Sequence, residues 1–106
     1  MEYSRELVEQ VWEKARAGAD VDASTWREDE CGAWISRPQY GQPETEFGWK
    51  IENISPGGPP TLENLRPLHY RNAFNPGTGF HHCLVTADRT GLSSTSRTLQ
   101  PRNRGV

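Results

Sequence analysis

His69, His81 and His82 are the three histidines of this 106-residue chain, and their imidazoles are the groups most ready to exchange a proton near neutrality. A carboxylate such as Glu52 and an imidazole such as His69 can together hold a hard divalent ion. A second imidazole, His81 or His82, can then serve as base toward water on that ion. Directly after Glu52 stands Asn53, whose amide has no useful basicity and cannot take a proton from water. Arg66, Tyr70 and Arg71 add cations and an aromatic ring suited to a phosphate or a partner surface. Each residue also has a plainer reading. Glu52 can be a solvated strand-end carboxylate paired with Arg66 or Arg71, and such a pair is worth little when exposed. Asn64 can cap or stitch a loop, and His69 can be a partly exposed helix residue stacked on an aromatic ring. His81 and His82, adjacent on a strand, point to opposite sides, so at most one can serve a shared site.

The elements that would position these residues follow from periodicity and punctuation. Leu7, Val8, Val11, Trp12 and Ala15 fall at helical spacings and predict an amphipathic helix over 4–17, stopped at Gly18. Residues 20–30 are polar and turn-prone, with Trp26 as the one large anchor. Residues 31–35 predict a short strand, and 47–54 a second with Trp49, Ile51 and Asn53 on one face. The Gly/Pro-rich run 55–60 can continue neither strand nor helix. Pro67 is suited to the first turn of a helix, predicted over 67–73, which Asn75-Pro76-Gly77 would end. Residues 80–87 predict a third strand.

The bulk composition allows one domain with a modest core. The hydrophobic fraction is 33% and the mean hydropathy −0.84, low for a globular protein, yet four Trp argue against disorder. A formal charge of −2 disfavours a dedicated duplex binder, which usually carries a basic stripe. No apolar run reaches membrane-spanning length and the N-terminus lacks a signal-type apolar core, so a cytoplasmic protein with no membrane partner is expected. Cys31 and Cys83 form no Cys-x-x-Cys pattern, which in that compartment predicts two free, buried thiols. One domain over 1–91 is expected, followed by a disordered basic tail over 92–106 carrying Arg97, Arg102 and Arg104.

Several segments, taken in order, resemble a compact bacterial and phage branch of the HNH endonucleases. They are Val11-Trp12-Glu13-Lys14-Ala15, Trp26 through Ile35, Tyr40-Gly41, Gly48 through Ile54, Asn64 through Asn72, and Leu84-Val85-Thr86-Ala87. The resemblance implies an α+β fold: an N-terminal helix, a ββα-metal core and an additional short strand. In that family the first strand ends in Asp-His, the His acting as general base, and a loop Asn orients it. A helix residue nine positions beyond the loop Asn ligates the ion. Here those places hold Glu52, Asn53, Asn64 and Ala73, and a downstream Lys is replaced by Pro76. Base, helix ligand and cation are missing together. The sequence suggests no structural role for the amide of Asn53.

The resemblance therefore implies a degenerate nuclease scaffold with no catalytic residues, no metal and no cofactor, acting as a binding or inhibitory module. Its expected partner is a protein, of the class of a host nuclease or CRISPR complex, contacted through Arg66, Tyr70 and Arg71, with nucleic acid as a second possibility. The alternative is an active, Mg- or Mn-dependent DNA endonuclease with a rearranged site. Glu52, Asn53, Asn64, His69 and His81 would form that site, with Glu52 and His69 as metal ligands.

Overall fold

Ser4 opens helix α1 (Arg5–Trp12): its hydroxyl accepts the Leu7 N–H at 3.1 Å, satisfying a donor the first turn leaves free. The fold is that of a computed structural model, which describes residues 3–18, 21–55, 57–89 and 101–106. The helix stops five residues short of the predicted end, because Arg16 turns away to pair its backbone with Glu28 in both directions, at 2.8 and 2.9 Å. Gly18 caps nothing.

The rest of the described chain consists of short hairpins. Strands β1 (Trp26–Glu28) and β2 (Trp34–Ser36) pair antiparallel, as do β3 (Trp49–Asn53) and β4 (Leu65–His69). Strands β5 (Ala73–Asn75) and β6 (Phe80–His82) form a third hairpin, and β7 (Val85–Ala87) pairs with β8 (Asn103–Gly105). Among the described residues, one α-helix and eight strands in four two-stranded sheets replace the expected ββα core.

The error centres on Pro67. Residues 65–69 are a strand, not the start of a helix over 67–73. Main-chain bonds flanking the β3–β4 ladder, Ile54 to Asn64 and Tyr70 to Gly48, fix its phase. That phase places Ile51 and Pro67 opposite each other at a non-hydrogen-bonded pair. A proline there removes no ladder bond, so a residue that looks like a helix opener is tolerated in a strand. The chain then reverses in a turn closed by the Asn72 N–H on the His69 carbonyl, at 3.0 Å. The single strand expected over 80–87 is likewise broken, since the Leu84 and Val85 amides both bind the Asn72 side chain.

The apolar core sits between α1 and one face of the β3–β4 hairpin: Val8, Val11, Trp12, Ala15, Ile35, Trp49 and Leu65. Trp49 lies within aromatic contact of Trp12 and Tyr40, with ring centroids 5.4 and 4.9 Å away. Gly48, which leads into β3, is required by space: a Cβ there would lie 1.8 Å from the backbone oxygen of Gln42.

A second, polar centre ties the other hairpins together. Asp29 is 1% exposed, and its carboxylate accepts four bonds: from the backbone amides of Cys31, Ala33 and His69, and from the Asn72 side chain. Asn72, fully buried, also donates to the Val85 carbonyl. Beside this centre Cys31 and Cys83 form a disulfide, with Cα atoms 5.6 Å apart, in place of the expected free thiols. Fifty-two residues separate them in sequence, so their proximity is a product of the fold alone. Of the segment expected to be a disordered tail, residues 101–106 are described, and they supply β8; residues 92–100 lie outside the described residues. No helix among the described residues is long and apolar enough to cross a membrane.

Candidate functional site

Of the residues that the alternative, active reading would use, Glu52, Asn53, Asn64 and His69 hold the fold together, and His81 pairs with Glu30. Asn53 closes the loop after β3: its carbonyl oxygen accepts the Ser55 N–H at 2.8 Å and its amide donates to the Gly58 carbonyl at 3.3 Å. That is the structural role the sequence did not reveal. Asn64 stitches the same loop, donating to the Pro59 carbonyl at 3.0 Å. Glu52 accepts the Phe74 N–H at 2.9 Å and pairs with Lys50 at 3.0 Å, rather than with Arg66 or Arg71.

His69 is neither on a helix nor partly exposed; it lies in β4 and is 3% exposed. Its Nδ1 faces the Arg71 N–H at 3.1 Å and must accept it, so Nε2 carries the proton and donates to the Glu46 carbonyl at 2.7 Å. Neither nitrogen has a lone pair left for a metal or a proton. The β3–β4 register also places Glu52 and His69 on opposite faces of the hairpin, so they cannot share an ion. Among the described residues, no three His, Cys, Asp or Glu side chains converge as a ligand set.

Glu30 forms a mixed cluster: its carboxylate meets His81 Nε2 at 2.7 Å and Arg66 Nε at 3.4 Å. His81 also packs edge-on against Phe74, at 5.3 Å between ring centroids. A smaller cleft of about 320 Å³ runs past this cluster between Lys14, Glu28 and Arg66. Its acids are already partnered, Glu28 by Arg16 and Arg89 and Glu30 by Arg66 and His81.

A larger cleft lies elsewhere. A cleft of about 610 Å³ opens between the loop 43–46 and strand β8, with His69 and Val85 also in its wall. Arg71 and Arg104 border it, are exposed, and have no side-chain partner among the described residues. Its walls are held firmly. The Asn103 side chain pairs with both backbone groups of Trp34, at 2.8 and 2.9 Å, in the manner of a neighbouring strand. The Glu46 carboxylate accepts the Asn103 N–H at 2.9 Å and Arg102 Nε at 3.3 Å.

Of the contact residues expected from sequence, only Arg71 lines this cleft. Arg66 is bound to Glu30, and Tyr70 is half-buried, its N–H donating to Gly48. Asn103 and Glu46 carry no such expectation, and Arg104 is expected only as a cation of a disordered tail. The alternation Arg102-Asn103-Arg104-Gly105 was a strand signal hidden inside a segment otherwise poor in apolar residues. No family model, curated protein or solved structure matches the chain.

Proposed function

We propose that this chain is a non-catalytic binding module, related by its motif order to HNH endonucleases, that engages a macromolecular partner. One observation supports this above all: the groups that hydrolysis would need free, on Glu52, Asn53, Asn64 and His69, are each engaged by backbone donors or acceptors. A general base needs an unoccupied lone pair aimed at water, and His69 has none. Protein is favoured over nucleic acid as partner, because the formal charge is −2 and the described basic side chains are mostly paired internally. A nuclease complex is the partner class that the resemblance names.

The cytoplasmic placement suits such a target but exposes the Cys31–Cys83 disulfide to a reducing pool. Counting free thiols in protein made in the cytosol checks it: a crosslink that persists there fits the placement, and two free thiols mean that the disulfide belongs to an oxidising compartment.

The test of function is direct. Purified chain is incubated with supercoiled plasmid and magnesium, manganese or zinc, and no nicking above buffer is expected. Metal-dependent nicking abolished by Glu52→Gln or His81→Ala would overturn the reading in favour of an endonuclease. In a second arm the chain is added to a panel of RNA-guided nucleases cutting a target plasmid. Slowing that saturates at stoichiometric amounts supports a nuclease-directed module; unchanged cleavage throughout removes that partner class.

A further inference from the structure

The cleft beside β8 carries one arrangement twice, and among the described residues only one copy is filled. In the first, the Arg102 guanidinium and the amide of the next residue, Asn103, grip the Glu46 carboxylate at 3.3 and 2.9 Å. Two residues on, Arg104 and the amide of Gly105 repeat the pattern. The β7–β8 ladder bonds flanking the strands, Val106 to Leu84 and Asp88 to Arg102, set its phase. That phase points the Asn103 and Gly105 amides to the same outer edge, away from β7. Gly105 N–H has no partner there among the described residues, and neither does the Arg104 guanidinium.

Arg71 also lines the cleft and adds a second unpaired cation among the described residues, against the exposed carboxylate of Glu44. Among the described arginines, Arg16, Arg27, Arg37, Arg66, Arg89 and Arg102 each hold a carboxylate or a carbonyl; Arg71 and Arg104, which line this cleft, and Arg5 on α1 do not. Arg71 is also anchored at its root, since its backbone N–H is bound by buried His69. A planar guanidinium matches a carboxylate with two parallel donors.

We propose that this cleft is a docking site for an extended acidic segment of a partner protein. One carboxylate of the segment takes the Arg104–Gly105 position as Glu46 takes the Arg102–Asn103 one, and a neighbouring carboxylate meets Arg71. The segment runs along the outer edge of β8, where main-chain pairing adds to charge pairing. A volume of about 610 Å³ accommodates a few residues of such a segment. The lining carries no Trp, Tyr or Phe on which a base could stack, which favours acidic peptide over single-stranded nucleic acid. This proposal rests on the binding-module reading and names its partner's chemistry.

The experiment is a nuclear magnetic resonance titration of the isotope-labelled full chain with the peptide acetyl-Glu-Ser-Glu-Ser-Glu-amide. The expected result is a saturable shift of the Thr45, Arg104 and Gly105 amides. Arg71→Ala and Arg104→Ala should each weaken binding at least tenfold without moving the thermal midpoint, since neither guanidinium has a structural partner among the described residues. Arg5→Ala, which removes an exposed arginine on α1, should leave affinity unchanged. Three results would overturn the proposal: no saturable shift at millimolar peptide, an equal loss in Arg5→Ala, or tighter binding of a thymidine dodecanucleotide at the same amides. None of these bears on plasmid nicking, so failure here leaves the non-catalytic reading standing, and nicking would remove that reading whatever the peptide does.

Discussion

The two centres of this molecule are held by different physics. Around α1 and the inner face of β3–β4, stability comes from apolar area: Trp49, Ile35, Leu65 and Val11 are fully buried there. Around Asp29 and Asn72, an ionisable carboxylate and a primary amide lie equally deep, and what holds the chain is a set of directed bonds to backbone amides and carbonyls. The first kind of centre tolerates a change of shape and loses stability in proportion to the area removed. The second loses several bonds at once when one atom is taken away, because each orphaned amide has no water to turn to. A chain of 33% hydrophobic residues cannot build two apolar cores, and the second centre is the polar substitute.

The strongest way to test that contrast is Asp29→Ala. It strips acceptors from three backbone amides and from Asn72 in one step. We expect a loss of about 5 kcal/mol, enough to unfold a domain of ordinary stability. Urea unfolding measures it, and a loss under about 2 kcal/mol would mean that water enters and replaces the carboxylate.

Next in size is removal of the Cys31–Cys83 disulfide by reduction. Closing a loop of 52 residues restricts the unfolded chain by about 4 kcal/mol in the chain-entropy account. Hydrogen exchange should localise part of the effect: amides over 72–87 should exchange faster while those of β3 and α1 keep their relative protection. Uniform acceleration across all elements would show that the two centres unfold as one unit.

Leu65→Ala probes the apolar side. Fully buried under α1, it should cost about 3 kcal/mol through lost transfer and the cavity left behind. Here the polar centre should hold, so protection of the Val85 amide, bound by Asn72, should fall no more than global stability does.

These two centres also differ in how far the sequence revealed them. The helix, the face of Trp49 and Ile51, and the apolar cluster were legible because burial imprints a period of 3.6 or 2 on residue type. Asp29 and Asn72 leave no such imprint: the partners that tie them to the rest of the fold, His69 and Val85, lie 40 and 13 residues away and are engaged through backbone atoms, which every residue carries. Pro67 misled because both a helix start and an unbonded strand position accept it equally. The disulfide was hidden for the same reason as the polar centre, since it records a proximity that only the finished fold creates. At the site, Arg71 was found by type and Arg104 was lost with the tail. Asn53 was noticed as an anomaly of catalysis when its role is to fold a loop. Asn53→Ala should accordingly cost about 1 kcal/mol, from two loop bonds at a partly solvated position. No loss at all would return Asn53 to the functional residues.

The smallest effect is electrostatic and sits between the two centres. Lys14 donates to the carbonyls of Leu62 and Leu65, fastening α1 to the start of β4. Desolvation by burial, and then the Arg66 guanidinium, lower its pKa from 10.5, against the opposing pull of Glu30 and Glu63. Because the folded state holds this proton less tightly than the unfolded one, the unfolded state binds more protons between the lowered value and 10.5. Stability should therefore rise with pH across that window, the penalty being complete below it and absent above it. The informative quantity is the difference between the unmodified chain and Lys14→Met. That difference should shrink or reverse as pH climbs from 8.5 to 10.5, in favour of the unmodified chain. A difference that stays constant would mean that the two carbonyls compensate the ammonium fully, and that the join between the apolar and polar halves is insensitive to its charge.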